Sequence, residues 1–351
     1  MPHRLNIGLP NIDVSKIDMK EVTRLTGQGK LKEAMEMLAG ARPPQPQPQD
    51  EDIIDMVPPS AGGAWTALLQ ARGRFESRTF TAAAGMRPYK LYIPSDYRGQ
   101  SVPLIVMLHG CTQSPDDFAA GTRMNTVAEE RTCLVAYPGQ TQTANAQKCW
   151  NWFNNADQQR DHGEPALIAG ITRQVMRDLS VDPKRVFVAG LSAGGAQAAI
   201  MGQRYPDLYA AIGVHSGLAC GAARDMPSAF AAMGSGAALK TSQPSGALVP
   251  TIVFHGDRDK TVHPLNGDHV IKQSKGAASL RTTVEHGRSP GGVAYTRTVY
   301  SEADGLPLLE QWAIHGAAHA WSGGSTDGSY TDPKGPDASR EMVRFFLAQG
   351  D

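Results

Sequence analysis

The sequence predicts a mostly parallel, doubly wound α/β sheet, and three observations lead there. From residue 103 onward, short β-type runs alternate with helix-compatible runs, the pattern of a parallel sheet with crossover helices. Two of the runs, Pro103-Leu104-Ile105-Val106-Met107-Leu108-His109-Gly110 and Cys133-Leu134-Val135-Ala136-Tyr137-Pro138, are nearly continuous in apolar residues, as strands are when helices cover both faces. A third run, Arg185-Val186-Phe187-Val188-Ala189-Gly190, leads into Gly190-x-Ser192-x-Gly194. There a strand turns into a helix over one strained residue, and only small neighbours let the serine hydroxyl stand clear of the backbone. The 351 residues, 41% hydrophobic with 37 glycines and 24 prolines, can bury a large core and suit many tight connections rather than a helical bundle.

Residues 1–42 read as a helical extension, with Val22, Leu25, Leu31, Ala34, Met35 and Leu38 at helical spacing broken by Gly27 and Gly29. The tract Arg42-Pro43-Pro44-Gln45-Pro46-Gln47-Pro48-Gln49 cannot pack a core, so residues 43–60 read as a semi-rigid linker and 61–351 as the main domain. Residues 74–80 and 87–94 alternate as half-buried strands around a turn at Gly85 and predict an antiparallel start to the sheet. A helix is expected over 165–179, then the strand into Ser192 and a helix over 196–204. Strands at 209–215 and 250–256, a helix at 269–276, a strand at 308–315 and a closing helix at 337–349 complete the alternation. Residues 217–249, rich in Ala, Gly and Ser, are too poor in large apolar side chains for a substantial lid and predict an open cleft.

Lys and Arg number 34 against 34 Asp and Glu, with no basic cluster, which argues against nucleic acid or an anionic membrane as partner. The start Met1-Pro2-His3-Arg4-Leu5-Asn6 leads into no apolar segment, and no run is long enough to cross a bilayer. The expectation is a cytoplasmic protein, or a secreted one if a leader has been lost; its oligomeric state is left open. Cys111, Cys133, Cys149 and Cys220 match no zinc spacing, so no metal and no cofactor are expected. Cys111 and Cys149 fall in segments near the candidate site. A disulfide would join them in an oxidising compartment, whereas reduced thiols are the expectation for a cytoplasmic chain.

A serine hydroxyl is a poor nucleophile at neutral pH and needs an imidazole to take its proton and a carboxylate to hold that imidazole. After a strand-to-helix elbow the chain order is serine, then acid, then histidine, each on a loop after a strand. The strand at 250–256 ends in Asp257-Arg258-Asp259. Asp259 is preferred because the loop must travel before it reaches an imidazole, and Asp257 is the alternative. Of the later histidines His263, His269, His286, His315 and His319, the last sits in Gly316-Ala317-Ala318-His319-Ala320-Trp321, a small-residue loop with an aromatic backstop. His315, within the last strand, is its alternative. The main-chain N–H of Ala193 and one from Cys111 or Thr112 are placed to bind a developing oxyanion, Cys111 being preferred. His109 and Thr112 beside it, and a wall of Trp150, Trp152 and Trp321, are the candidate substrate contacts.

The combination Leu108-His109-Gly110-Cys111-Thr112-Gln113, Cys149-Trp150-Asn151-Trp152-Phe153, Gly190-Leu191-Ser192-Ala193-Gly194-Gly195 and His319-Ala320-Trp321 resembles the poly(3-hydroxybutyrate) depolymerase family of esterases. These are relatives of feruloyl and acetylxylan esterases with the α/β-hydrolase fold. The likeness covers roughly residues 74–349. It implies cleavage of carboxylic ester bonds by Ser192, Asp259 and His319 without a metal, on polyesters, their oligomers or smaller esters. Feruloyl or acetylxylan esterase is the alternative, and a silent hydrolase-fold binding protein is the alternative of another class. Secreted members carry an export signal and usually a polymer-binding module, neither of which is seen here, so the resemblance points to an intracellular role.

Overall fold

The computed structural model describes residues 73–236 and 248–350. The expected helical extension, the proline-rich linker and part of the 217–249 segment lie outside these residues.

The sheet begins with an antiparallel hairpin, β1 (Arg74–Ala82) and β2 (Gly85–Ile93), turning at Gly85 where φ is 124°. The next elements are β3 (Val102–Leu108), α1 (Pro115–Thr122), α2 (Met124–Arg131), β4 (Leu134–Pro138), α3 (Gly163–Asp178), β5 (Val181–Leu191) and α4 (Ala193–Arg204). Then come β6 (Ala211–His215), α5 (Met226–Ser235), β7 (Thr251–Gly256), α6 (Leu265–Lys275), β8 (Arg281–Arg288), β9 (Ala294–Ser301) and β10 (Pro307–Ile314). A small parallel pair, β11 (Trp321–Ser322) and β12 (Thr331–Asp332), precedes α7 (Ala338–Leu347). The strand order is β1-β2-β4-β3-β5-β6-β7-β10-β9-β8. From β4 to β10 every pairing is parallel, while antiparallel strands close both ends.

Side chains on neighbouring positions of a strand point to opposite faces, so a strand apolar throughout needs helices on both sides. Leu104, Val106 and Leu108 of β3 pack with Ile168, Ile171 and Val175 of α3 and with α4. Ile105 and Met107 pack on the other face with Phe118 of α1, Val127 of α2 and Phe345 and Phe346 of α7. The α/β-hydrolase fold expected from the sequence is thus present.

Several elements escaped the sequence reading. Helix α1 is capped by Ser114, whose hydroxyl accepts the Asp117 N–H, with Pro115 opening the first turn. Its eight residues are too few for a clear period. The β8–β9 hairpin was also missed, although Thr282, Thr283 and Val284 carry its β-branched signal. Helix α5 occupies part of the segment read as too poor in large apolar side chains for a substantial lid, its Ala229 and Ala232 buried. Among the described residues no helix is long and apolar enough to cross a membrane.

Candidate active site

In a parallel sheet the strands all end at one edge, and β5, β6, β7 and β10 deliver the candidate residues there. Ser192 follows β5 directly, with φ 57° and ψ −118°, the strained geometry of an elbow. A Cβ on Gly190 would run into the Leu108 and Gly194 carbonyls, and one on Gly194 into the carbonyls of Leu108 and His109, so both glycines answer to close backbone approach. The Ser192 N–H donates to the His215 carbonyl at 2.9 Å. Ala193 opens α4, and its N–H is one of the first-turn amides that have no partner within the helix and carry its positive dipole end.

Asp259 and His319 meet: His319 Nδ1 lies 2.7 Å from Asp259 Oδ2. The other carboxylate oxygen, Oδ1, accepts the N–H groups of Thr261 at 2.9 Å and Val262 at 2.8 Å. His255 Nε2 donates to the Val262 carbonyl at 2.8 Å and stands 3.4 Å from Asp259 Oδ2. Burial opposes charge on Asp259, yet the bonds from His255 and His319 outweigh it and hold the carboxyl well below the ordinary carboxylate range. With Nδ1 engaged by the carboxylate, Nε2 is the nitrogen of His319 left to exchange a proton.

The alternative pair is brought together elsewhere. His315 Nδ1 lies 3.0 Å from Asp257 Oδ2, and its Nε2 bonds the Thr296 hydroxyl at 2.9 Å. Both ring nitrogens of His315 are therefore occupied.

Two histidines that the sequence reading passed over support the site. His215, the last residue of β6, is fully buried and accepts the Ser322 N–H on Nε2 at 3.0 Å. It stacks on Trp321 with ring centroids 5.1 Å apart, so it fastens the loop carrying His319 while its own carbonyl holds Ser192. Burial drives its imidazole well below the usual histidine range and keeps it neutral. His255 props Asp259. Each sits at the end of an otherwise apolar strand on the carboxyl edge of the sheet, a signal available in the sequence.

The loop after β3 departs from expectation in three ways. Cys111 and Cys149 are joined by a disulfide with Cα atoms 4.2 Å apart, in place of the reduced thiols expected; Cys133 and Cys220 are free and buried. The Thr112 N–H is spent on the Gln147 carbonyl at 2.6 Å, so of the two amides considered for the oxyanion only that of Cys111 is left as the candidate. His109 is no surface contact: it is fully buried, with its Nδ1 donating to the Gly110 carbonyl at 2.7 Å and Nε2 accepting the Gln140 N–H at 3.0 Å. Burial lowers its imidazole to about 4.

The expected tryptophan wall is likewise core. Trp150 donates from Nε1 to the His109 carbonyl at 3.1 Å, Trp321 donates to the Ser339 hydroxyl at 3.1 Å, and both are fully buried; Trp152 is buried against Phe153. An indole surrounded by apolar neighbours satisfies its one donor inward, so these rings shape the loops from beneath. Thr112, by contrast, is exposed.

Beneath the disulfide, Glu164 accepts the Asn151 N–H at 2.7 Å, the Asn151 side-chain amide at 2.8 Å and the Gln140 side-chain amide. Burial, reinforced by Asp157, raises its carboxyl to about 7. In the window between its ordinary 4.5 and about 7 the unfolded chain has released this proton and the folded chain still holds it. Stability therefore falls as pH rises through that window, by on the order of 3 kcal/mol from this group. Denaturant unfolding at about pH 5 and pH 7.5 is expected to show this loss in the parent protein. Glu164→Ala should be less stable at both, because three donors lose their acceptor, but with the slope from this group removed. Parallel slopes would contradict the assignment.

Residues 87–281, more than half of the chain, match the Esterase PHB depolymerase family. Poly(3-hydroxyalkanoate) depolymerase C of Paucimonas lemoignei is 32% identical over 240 residues, 65% of this chain and 57% of that protein. Feruloyl esterase B of Neurospora crassa is 28% identical, over 68% of this chain and 88% of its own length. The chain spans about half the length of two curated depolymerases that it matches, 57% of one and 48% of the other. Among solved structures, acetyl xylan esterase from Aspergillus awamori superposes with a TM-score of 0.63 at 19% identity, covering 79% of this chain and all of that one, a likeness of fold. With the sheet, the elbow and this match over residues 87–281 together, the chain belongs to the esterase PHB depolymerase family.

Proposed function

We propose that the chain hydrolyses carboxylic esters through an acyl-enzyme, acting on polyhydroxyalkanoate-type polyesters or their oligomers. The observation that carries this reading is the 2.7 Å contact of His319 with Asp259 at the sheet edge where the strained elbow presents Ser192. In this mechanism Ser192 Oγ attacks the ester carbonyl carbon and its proton passes to His319 Nε2. The charge on the former carbonyl oxygen is met by the N–H groups of Ala193 and Cys111, preset by α4 and by the disulfide-tethered loop. Collapse breaks the ester C–O bond, and His319 returns the proton to the departing alcohol. Water then gives a proton to His319 and attacks the acyl group, which releases the acid and restores Ser192. Asp259 keeps the imidazole in the Nδ1–H tautomer throughout.

The disulfide supports an oxidising compartment rather than the reducing one expected from the sequence. A second reading within the same chemistry is a feruloyl esterase, since feruloyl esterase B of Neurospora crassa is 28% identical to this chain over 264 residues. Burial of Trp150 and Trp321 counts against it, since neither offers a face to an aromatic acyl group.

Labelling with a fluorophosphonate followed by peptide mapping tests the chemistry. The label is expected on Ser192, and its absence there would leave the silent binding protein as the better account. Rates on hydroxybutyrate oligomers against methyl ferulate then decide the acyl group, with the oligomers expected to be faster.

A further inference from the structure

Tyr330 belongs to the segment between the base loop and β12. Its carbonyl accepts the Trp321 N–H at 2.7 Å, so its backbone is tied to β11, which starts two residues after His319. Its φ is 54°, in the left-handed region that a bulky residue enters only where the surroundings over-determine it. Those surroundings reach across to the loop after β3. Ser329 donates to Asp117 from its N–H at 2.9 Å and from its hydroxyl at 2.6 Å. The Gln113 amide donates to the Ser329 carbonyl at 3.1 Å while its oxygen accepts the Gly110 N–H at 2.9 Å. Held in this way, the tyrosine ring turns outward and is 47% exposed. A core role does not account for a ring that buries so little.

The hydroxyl of Tyr330 lies 3.2 Å from Thr112 Oγ1. Thr112 has one hydroxyl hydrogen, and it is spent on the Cys111 carbonyl at 2.6 Å. Tyr330 must then be the donor, and the bonds run in one direction, from Tyr330 to Thr112 to the carbonyl of Cys111. Thr112 is also held in the left-handed region, at φ 66°. The carbonyl end of Cys111 is thus gripped by this chain, while the amide end of the same residue is the one offered to the oxyanion.

We infer that Tyr330 is a positioning residue for the reaction. Its hydroxyl, acting through Thr112, holds the Cys111 amide in register with the loop that carries His319. The inference rests on the ester-hydrolase reading above and adds to it a residue outside the three catalytic side chains.

The test compares Tyr330→Phe, Thr112→Val and the double variant on p-nitrophenyl butyrate. A loosened oxyanion donor costs the transition state more than the ground state. Tyr330→Phe is expected to lower kcat about tenfold, with KM and the melting temperature little changed. Thr112→Val should lower kcat similarly, and the double variant should fall no further than either single one, because all three break one chain. A Tyr330→Phe kcat within about twofold of the parent, or losses that multiply in the double variant, would overturn the inference. Fluorophosphonate labelling of Ser192 in the parent separates the two levels. A parent that neither takes the label nor turns over ester refutes the ester-hydrolase reading and this inference with it, whereas an active parent with an indifferent Tyr330→Phe refutes this inference alone.

Discussion

Replacing His319 by alanine is expected to lower kcat for a short nitrophenyl ester on the order of a millionfold, and Ser192→Ala by as much, because the two act as a unit and the loss of either removes the whole of their contribution. His315→Ala should stay within about twofold of the parent. The contrast matters because the two histidines are four positions apart, each faces an aspartate from the same loop, and only geometry separates them: His315 has both nitrogens occupied, by Asp257 and Thr296. Asp259→Asn gives a sharper result. Two backbone N–H groups, of Thr261 and Val262, already point at Oδ1, so the amide oxygen must take that position and the NH2 group must face His319. An NH2 facing Nδ1 forces the proton onto Nε2, the wrong tautomer to accept one from Ser192, and a loss of about ten-thousandfold is expected. Steady-state rates of the four variants decide the matter. A larger loss in His315→Ala than in His319→Ala would transfer the role to the Asp257 pair.

Removing the disulfide by the double change Cys111→Ala and Cys149→Ala is expected to cost about 4 kcal/mol, the loop-closure figure for a separation of 38 residues. For a domain of this size that is a fall of roughly 10 °C in melting temperature. Activity should fall as well, by about tenfold in kcat, because the bridge joins the residue whose amide is proposed to meet the oxyanion to the segment anchored by Trp150 and Glu164. Calorimetry and kinetics of the double variant check both. A variant with parental stability and rate would show that the loop is held without the bridge.

The β-α alternation of a mostly parallel sheet, the elbow and the loops that carry Asp259 and His319 were legible because each has a local cause. Apolar runs are forced by helices on both faces, and Gly190 and Gly194 are forced by the carbonyls that crowd them. Asp259 was preferred over Asp257 for the length of loop it needs after its strand, and His319 over His315 for its small-residue loop with an aromatic backstop; the structure places those two in contact. The tryptophans show where such reasoning stops. A cluster of aromatics reads identically whether it lines a cleft or fills the space under a loop, and Trp150 and Trp321 fill the space. The helices α1 and α2 are too short to register a period, and Tyr330 sits among turn residues that announce no partner.

What the chain determined by itself is what depends on neighbours in sequence: the strand-to-helix turn, the apolar runs, and the chemistry available on each loop. Tertiary structure decided between the alternatives that the sequence left open, setting Asp259 against His319 and Asp257 against His315 and bridging Cys111 to Cys149, and it alone placed His215 and His255 to brace the site from below. Those outcomes depend on which strands lie side by side, β7 against β10 and β5 against β6, and on burial that strips water from a side chain. Neither is a property of any short stretch of residues.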